Sequence, residues 1–257
     1  MNKDEARSAV WAELVKVAKP DSRFHLDFAE YIPDFVGSEK ATRRLTAMDI
    51  YRRAQTVFIT PDNCVEALRA QTVRDGKVQI MTTYGIRRGF VELRPEDVAP
   101  GMEEYAVLLD VIEEMGRYIT LDELKRCYHL DLIVTGASAV SRDGIRFGKG
   151  HGFFDLEWAM LYQLGVVDLR TPIVAFVHDS QVVDIELEAS GFDTVCDFIV
   201  TPTQMIRVES PRKPVKGVIW AQLEPDMLAQ IPPLRELKKM EEAGLVTAGG
   251  QKEVPMK

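Results

Sequence analysis

The chain has 257 residues, 46% of them hydrophobic and 28% charged, and its 32 Lys+Arg against 40 Asp+Glu leave a formal net charge of −8. Such ordinary globular composition excludes a disordered chain, a collagen-like repeat and a disulfide scaffold. The net acidity excludes a protein whose main work is gripping a phosphate backbone, so no nucleic-acid partner is expected, although a local cluster of Lys, Arg and backbone N–H groups still suffices for a small anion.

Along the chain, residues 4–18 carry Ala6, Val10, Trp11, Leu14 and Val15 at helical spacing, with Asp4 and Glu5 in the first turn where the helix dipole favours anions. A second helix is expected over 38–53 with Ser38 as its N-cap. The apolar run 56–60 predicts a strand stopped by Pro61-Asp62-Asn63, then a helix at 63–74, a turn at Asp75-Gly76 and a strand at 77–81. A helix at 121–129 precedes a strand at 131–135, and a glycine-rich loop over 136–152 leads into a helix near 154–164. Strands follow at 172–177 and 196–201. Alternating β and α segments build parallel sheets, and strands that are continuous apolar runs expect helices on both faces. The expected fold class is therefore α/β, a mostly parallel sheet sandwiched by helices, as one domain over 1–232 with a charged C-terminal helix and tail over 233–257.

No run approaches the ~18 consecutive apolar residues of a membrane span, and the charged first residues lead into no apolar stretch. No membrane partner and a cytoplasmic location are the expectations. Cys64, Cys127 and Cys196 lie too far apart for a C-x-x-C site and read as small buried thiols.

The stretch with the most chemistry is Arg146-Phe147-Gly148-Lys149-Gly150-His151-Gly152-Phe153-Phe154-Asp155. Alternating glycines let the backbone approach a ligand, the following helix start supplies unpaired N–H groups, and Arg146 and Lys149 add positive charge, a composition that suits a polyphosphate. Asp155 reads as an N-cap, as a first-turn acid, or as a carboxylate that holds Mg²⁺ against phosphate oxygens. The position after a strand end agrees with where α/β sheets bind ligands. The spacing is neither the dinucleotide nor the P-loop pattern, and no Gly-x-Ser-x-Gly elbow is present.

Arg146 to Asp155 resembles the Arg-x-Gly-x-Gly-x-Gly-Tyr-Tyr-Asp motif of the 5-formyltetrahydrofolate cyclo-ligase (methenyltetrahydrofolate synthetase) family, with Phe153-Phe154 in place of the tyrosines. The resemblance takes in the strand 131–135, the pair His178-Asp179, the stretch 197–202, and Lys3 and Arg7 as a K-x-x-x-R pair on the first helix. It implies a fold similar to the sugar-phosphate isomerase and CoA-transferase group (NagB/RpiA/CoA-transferase-like), with ATP and Mg²⁺ as cofactors. The implied reaction phosphorylates the formyl oxygen of 5-formyltetrahydrofolate with ATP. N10 then attacks the activated carbon, and phosphate leaves to give 5,10-methenyltetrahydrofolate. By resemblance, Arg146, Lys149 and Asp155 are catalytic, Lys3, Arg7, Gly148, Gly150 and Gly152 hold phosphates, and Asp155 holds the metal. Phe153, Phe154, Glu66, His178 and Asp179 fall on the substrate side. The family's Glu-Val-Asp-Thr signature after the first strand is absent, with Glu66 near its place, Leu156 follows the motif Asp, and 180–194 is inserted. Two further stretches, Ile32-Pro33-Asp34-Phe35 and Gly148-Lys149-Gly150-His151-Gly152 through Asp155-Leu156-Glu157-Trp158-Ala159-Met160, resemble a divergent branch that includes the methenyltetrahydrofolate-synthetase-domain-containing proteins.

Other candidates keep two readings each. Arg87-Arg88 is a grip for an anionic substrate tail or a solvated turn. His178-Asp179 lines a pocket opposite the glycine loop or is a strand-end His with a solvated Asp. His151 meets phosphate or solvent, and Arg43-Arg44 reads as a solvated face. The small-molecule partner is a reduced folate or another anionic ligand. The alternatives are a same-fold enzyme acting on a CoA or sugar-phosphate ligand, or a nucleotide-binding regulatory protein without turnover.

Overall fold

The computed structural model describes residues 3–184 and 189–247. Helix α1 (Lys3–Leu14) ends before the expected 18, because Lys19 precedes Pro20 and a proline ring disfavours helical backbone at the residue before it. Ala18 instead bridges to Phe35. The helix expected over 38–53 is two, α2 (Ser38–Thr46) and α3 (Asp49–Arg53), since Met48 between them is extended at φ −77°, ψ 144°. Gly37, at φ 90°, takes the N-cap place expected for Ser38, which is buried and accepts from Lys19 Nζ at 3.2 Å.

Strand β1 (Thr56–Ile59), helix α4 (Glu66–Arg74) and strand β2 (Val78–Thr82) form the expected βαβ unit, with β1 and β2 parallel. Strand β3 (Phe90–Leu93) is antiparallel to β2, because the connector 83–89 is shorter than the dozen or so residues a parallel crossover needs. Helices α5 (Glu103–Ala106) and α6 (Leu109–Met115) lead to β4 (Arg117–Ile119), antiparallel to β3. Helix α7 (Leu121–Cys127) opens on a capping box between Thr120 and Glu123 and precedes β5 (Leu132–Thr135).

The stretch 136–152, expected as one glycine-rich loop, holds a hairpin of β6 (Ala139–Ser141) and β7 (Arg146–Phe147). These strands are short and interrupted by polar and glycine residues, so no alternation announces them. The turn needs Gly144, at φ 80°, where any Cβ would collide with the Cys196 carbonyl oxygen. Helix α8 (Phe153–Leu164), strand β8 (Ile173–Phe176) and strand β9 (Val182–Val183) follow, and β9 joins β6 and β7 in a small three-stranded sheet. The expected insertion at 180–194 supplies β9, while 185–188 lie outside the described residues. Strands β10 (Phe198–Val200) and β11 (Met205–Arg207) form an antiparallel edge, and helices α9 (Met227–Gln230) and α10 (Pro232–Glu242) follow.

The main sheet runs β11-β10-β8-β5-β1-β2-β3-β4, with β10, β8, β5, β1 and β2 parallel and both ends antiparallel. Period two divides each central strand between layers. Val57, Ile59, Leu132, Val134, Val174 and Phe176 pack with residues of α2 and α4, whereas Phe58, Ile133 and Ile173 pack with α7, α8 and α10. Leu234, Leu237 and Met240 bury α10 in that second layer, and the glycine-rich end after it lies outside the described residues. Cys64 and Cys196 are buried as expected, but Cys127 is exposed at the last turn of α7. Arg44 is no solvated side chain, since it donates to the carbonyls of Thr201 and Pro202 at 3.3 Å and ties α2 to the end of β10.

Candidate functional site

From β1 the chain steps to β2 on one side, and it later returns to place β5 on the other. The connections leaving the adjacent carboxyl ends of β1 and β5 run to opposite sides, to β2 and to β8, which makes a topological switch point, where open α/β sheets bind ligands. A cavity of about 210 Å³ lies there, lined by Thr60, Pro61 and Asp62 after β1, Thr135 at the end of β5, and the loop 146–155.

The loop forms one wall. Arg146, carried in by β7, is 4% exposed and lies over the Phe154 ring at 4.5 Å from its centroid. Its Nη1 stands 4.0 Å from Asp155 Oδ1, while its Nε is buried without a hydrogen-bond partner. Gly150 and Gly152 adopt φ 115° and 67°, and Gly152 caps α8 in the left-handed region. Asp155 is thus a first-turn acid rather than the N-cap. Its Oδ1 accepts the Thr194 N–H at 2.8 Å, and burial raises its pKa against the pull of Arg146. A buried Arg146 Nε without a partner at the cavity wall suits an oxygen brought by a ligand. Arg7 on α1 donates from Nε to the Gly148 carbonyl at 2.9 Å, which ties the first helix to the loop, and the side chain of Lys3 lies outside the described residues.

The other wall is assembled from distant segments. Asp62 accepts from Thr60 Oγ1 at 2.6 Å and from the Gly136 N–H at 3.0 Å, which ties β1 to β5 across the switch point. Arg69, fully buried on α4, donates to the carbonyls of Thr60 at 3.0 Å, Asp62 at 2.9 Å and Val107 at 3.3 Å. Lys149 crosses between the walls, donating to the Glu30 carbonyl at 2.7 Å and to Tyr84 Oη at 3.2 Å. Burial lowers its pKa, opposed by the attraction of Asp62 and Glu30. Glu157, 3% exposed, projects from α8 and accepts the Thr82 hydroxyl hydrogen. Burial pushes its carboxyl up to about 8, with the Thr82 bond opposing and Asp62 adding repulsion, so it is largely neutral at pH 7.

Asp62, Arg69 and Glu157 were not singled out from the sequence. A legible signal exists for Glu157 alone, an acid set in a helix whose neighbours Leu156, Trp158, Met160 and Leu161 are all apolar. Of the expected site residues, Arg7, Arg146, Gly148, Lys149, Gly150, Gly152, Phe153, Phe154 and Asp155 line the cavity together with His151. Five others lie outside its lining. Glu66 opens on a separate pocket with Asp34, Arg74 and Glu104, because the short turn 63–65 rotates it off the end of β1. Arg88 is held in a two-pronged ion pair by Glu113. His178 caps its own turn, with Nδ1 accepting the Ser180 N–H at 3.1 Å and its ring on Phe35, and Asp179 accepts from the Thr201 and Thr203 hydroxyls. Arg87 lines a second chamber that shares Tyr84, Gly85, Lys149, His151 and Phe153 with the cavity. Among the described residues no three His, Cys, Asp or Glu side chains converge on one point that would hold a metal. An ion here would need oxygens from a bound phosphate, which is how Mg²⁺ is commonly held. No helix among the described residues is long and apolar enough to cross a membrane.

Comparison with known proteins identifies the family and the fold. Residues 1–202 match the 5-formyltetrahydrofolate cyclo-ligase family. The methenyltetrahydrofolate synthase domain-containing protein of Homo sapiens is 32% identical over 246 residues, 94% of this chain and 63% of that protein. Its counterpart in Mus musculus is 33% identical over 213 residues, 82% of this chain and 56% of that one. The chain thus spans 63% or less of the length of these relatives. The NMR structure of the Aquifex aeolicus 5,10-methenyltetrahydrofolate synthetase shares the fold, with a TM-score of 0.52 at 17% identity over 83% of this chain and 96% of that one. The family match runs from the first helix through the last parallel strand and takes in both walls of the cavity: this chain belongs to the 5-formyltetrahydrofolate cyclo-ligase family.

Proposed function

We propose that this chain is an ATP- and Mg²⁺-dependent cyclo-ligase that converts 5-formyltetrahydrofolate to 5,10-methenyltetrahydrofolate, with release of ADP and phosphate. The observation that carries the reading is the convergence of Arg146, Lys149, Asp155 and the glycine loop on one cavity at the switch point of the sheet. Phosphoryl transfer asks for positioning and charge neutralisation more than for a protein nucleophile, and these are the groups present.

In this reading the N–H groups of the loop and of the first turn of α8 cradle the phosphates. Arg146, packed on Phe154 and short of one partner, neutralises charge on the phosphoryl group being transferred. Lys149 has two donors committed to Glu30 and Tyr84, so its charge is fixed in place at the mouth of the cavity. Asp155 holds Mg²⁺ when phosphate oxygens complete its shell, and the ion supplies further charge neutralisation. Glu157, neutral and hydrogen-bonded to Thr82, forms a polar floor able to donate to a substrate oxygen or nitrogen. Phe153 and Phe154 give apolar cover to a flat ring.

The test is the absorbance of methenyltetrahydrofolate formed by purified protein with 5-formyltetrahydrofolate, ATP and Mg²⁺. Turnover that disappears in Asp155→Ala supports the reading; no product with the wild-type protein, where a known cyclo-ligase works in parallel, overturns it. One observation favours a second reading, a nucleotide-binding protein without turnover: Glu66, nearest the family's folate-side signature, opens away from the cavity. ATP binding with no product from any folate would select it.

A further inference from the structure

Beside the cavity of about 210 Å³ lies a second chamber of about 470 Å³, separated from it by Tyr84 and Phe153, which face both. Its outer wall is the stretch 224–231, which falls beyond the residues 1–202 that match the family. That wall is anchored. Ile231 is 2% exposed, Leu234 and Leu237 of α10 are fully buried, and Glu236 accepts the Leu121 N–H at 2.8 Å, fixing α10 to the start of α7. The chamber therefore exists before any ligand arrives.

Its charges are unequal. Arg87 is exposed there, with no carboxylate within ion-pair reach among the described residues, whereas the Lys149 ammonium is already taken by Glu30 carbonyl and Tyr84 hydroxyl oxygens. Against that one available cation stand the exposed carboxylates of Glu30, Glu224 and Asp226. All of them line the one chamber, and at physiological salt charges act on one another over ~8 Å.

We infer that the stretch 224–231 is the specificity wall for the distal end of the substrate: Arg87 takes one carboxylate of a short anionic tail, and Glu30, Glu224 and Asp226 turn away tails that carry more. The inference rests on the folate reading above, and it names the substrate class as short-tailed reduced folates over their polyglutamylated forms. The carboxylates of Glu224 and Asp226 are exposed, and Asp226 makes no side-chain cap to α9, so neutralising them leaves the fold's hydrogen bonds intact.

The experiment measures KM and equilibrium Kd for 5-formyltetrahydrofolate carrying one or five glutamates, with wild type, the double variant E224Q/D226N, and Arg87→Ala. The expected result is a preference of roughly three- to tenfold for one glutamate at low ionic strength, shrinking at ~0.5 M salt and in the double variant, since screening and neutralisation remove the same repulsion. Arg87→Ala is expected to weaken the one-glutamate substrate severalfold. Turnover with equal KM and Kd for both tails, unchanged in the double variant, overturns the specificity wall and leaves the folate reading standing. If neither folate binds or turns over while ATP still binds, the folate reading falls and the wall's role with it.

Discussion

One wall of the cavity is a single run of chain, turned into place by the β6–β7 hairpin and the start of α8. The opposite wall is gathered from the ends of β1 and β2, the segment around Glu30 and the face of α8 that carries Glu157. The two differ in how they settle their charge. In the scattered wall Asp62 takes Thr60 and Gly136 and Glu157 takes Thr82, while Arg69 behind them takes three carbonyls through Nε and Nη1 and leaves only Nη2 without a hydrogen bond. In the contiguous wall Arg146 Nε, a buried donor, is left without a partner. A wall that satisfies itself gives rigidity, and one left unsatisfied is where a ligand gains most.

The sharpest way to break that contrast is Arg69→Met. It strips donors from the carbonyls of Thr60, Asp62 and Val107 inside the protein, and a loss of about 3 kcal/mol or more in chemical denaturation is expected. A loss under about 1 kcal/mol would show that the scattered wall does not depend on this clamp. On the contiguous wall, Arg146→Ala is expected to lower kcat/KM for methenyltetrahydrofolate formation by about 10²–10³, the usual cost of removing a donor aimed at developing charge. An unchanged kcat/KM would remove Arg146 from the reaction.

Glu157→Gln probes the scattered wall through pH. The folded carboxyl is raised from 4.5 to about 8, so between those values the folded state binds more protons than the unfolded one. Its stabilising effect is therefore complete below about pH 4.5 and is lost as pH rises towards about 8. Glutamine, neutral throughout, is expected to flatten that decline, by up to a few kcal/mol at the alkaline end, in denaturation curves taken from pH 5 to 9. Parallel slopes for both proteins would contradict the burial of this acid. The smallest effect is expected from Arg88→Ala, whose half-exposed guanidinium pairs with Glu113 at the surface; the pair is worth about 1 kcal/mol and touches neither wall. Any change in KM for the folate substrate there would return Arg88 to the site.

Much of the architecture is legible before any coordinates. The runs 56–60, 131–135 and 172–177 are apolar throughout because helices cover both faces of the strands they form, and such runs announce a parallel core. The edges are not announced. Strands β3, β4 and β11 carry mixed polar residues and are strands because a neighbour offers hydrogen bonds, and the hairpin inside 136–152 exists because β9 and Cys196 receive it. Among site residues, Arg146 to Asp155 could be read together because they are consecutive. Glu66, Arg88, His178 and Asp179 looked equally eligible, and each is placed by local partners outside the cavity lining.

By itself, then, the sequence determines the alternating α/β order, the buried parallel strands and a glycine-rich loop with the charges for a phosphate, all properties of neighbouring residues. Which acids and cations face that loop is decided only by tertiary structure. Asp62 and Glu157 meet there, with Arg69 holding the end of β1 from behind, because the crossover to β5 brings the ends of β1 and β5 together and lays α8 across them. The stretch 224–231 reaches the second chamber because α10 is buried against α7. The acidic net charge met at the outset is likewise a matter of placement, with Arg146 and Lys149 drawn to the inner cavity and Glu30, Glu224 and Asp226 left around the outer one.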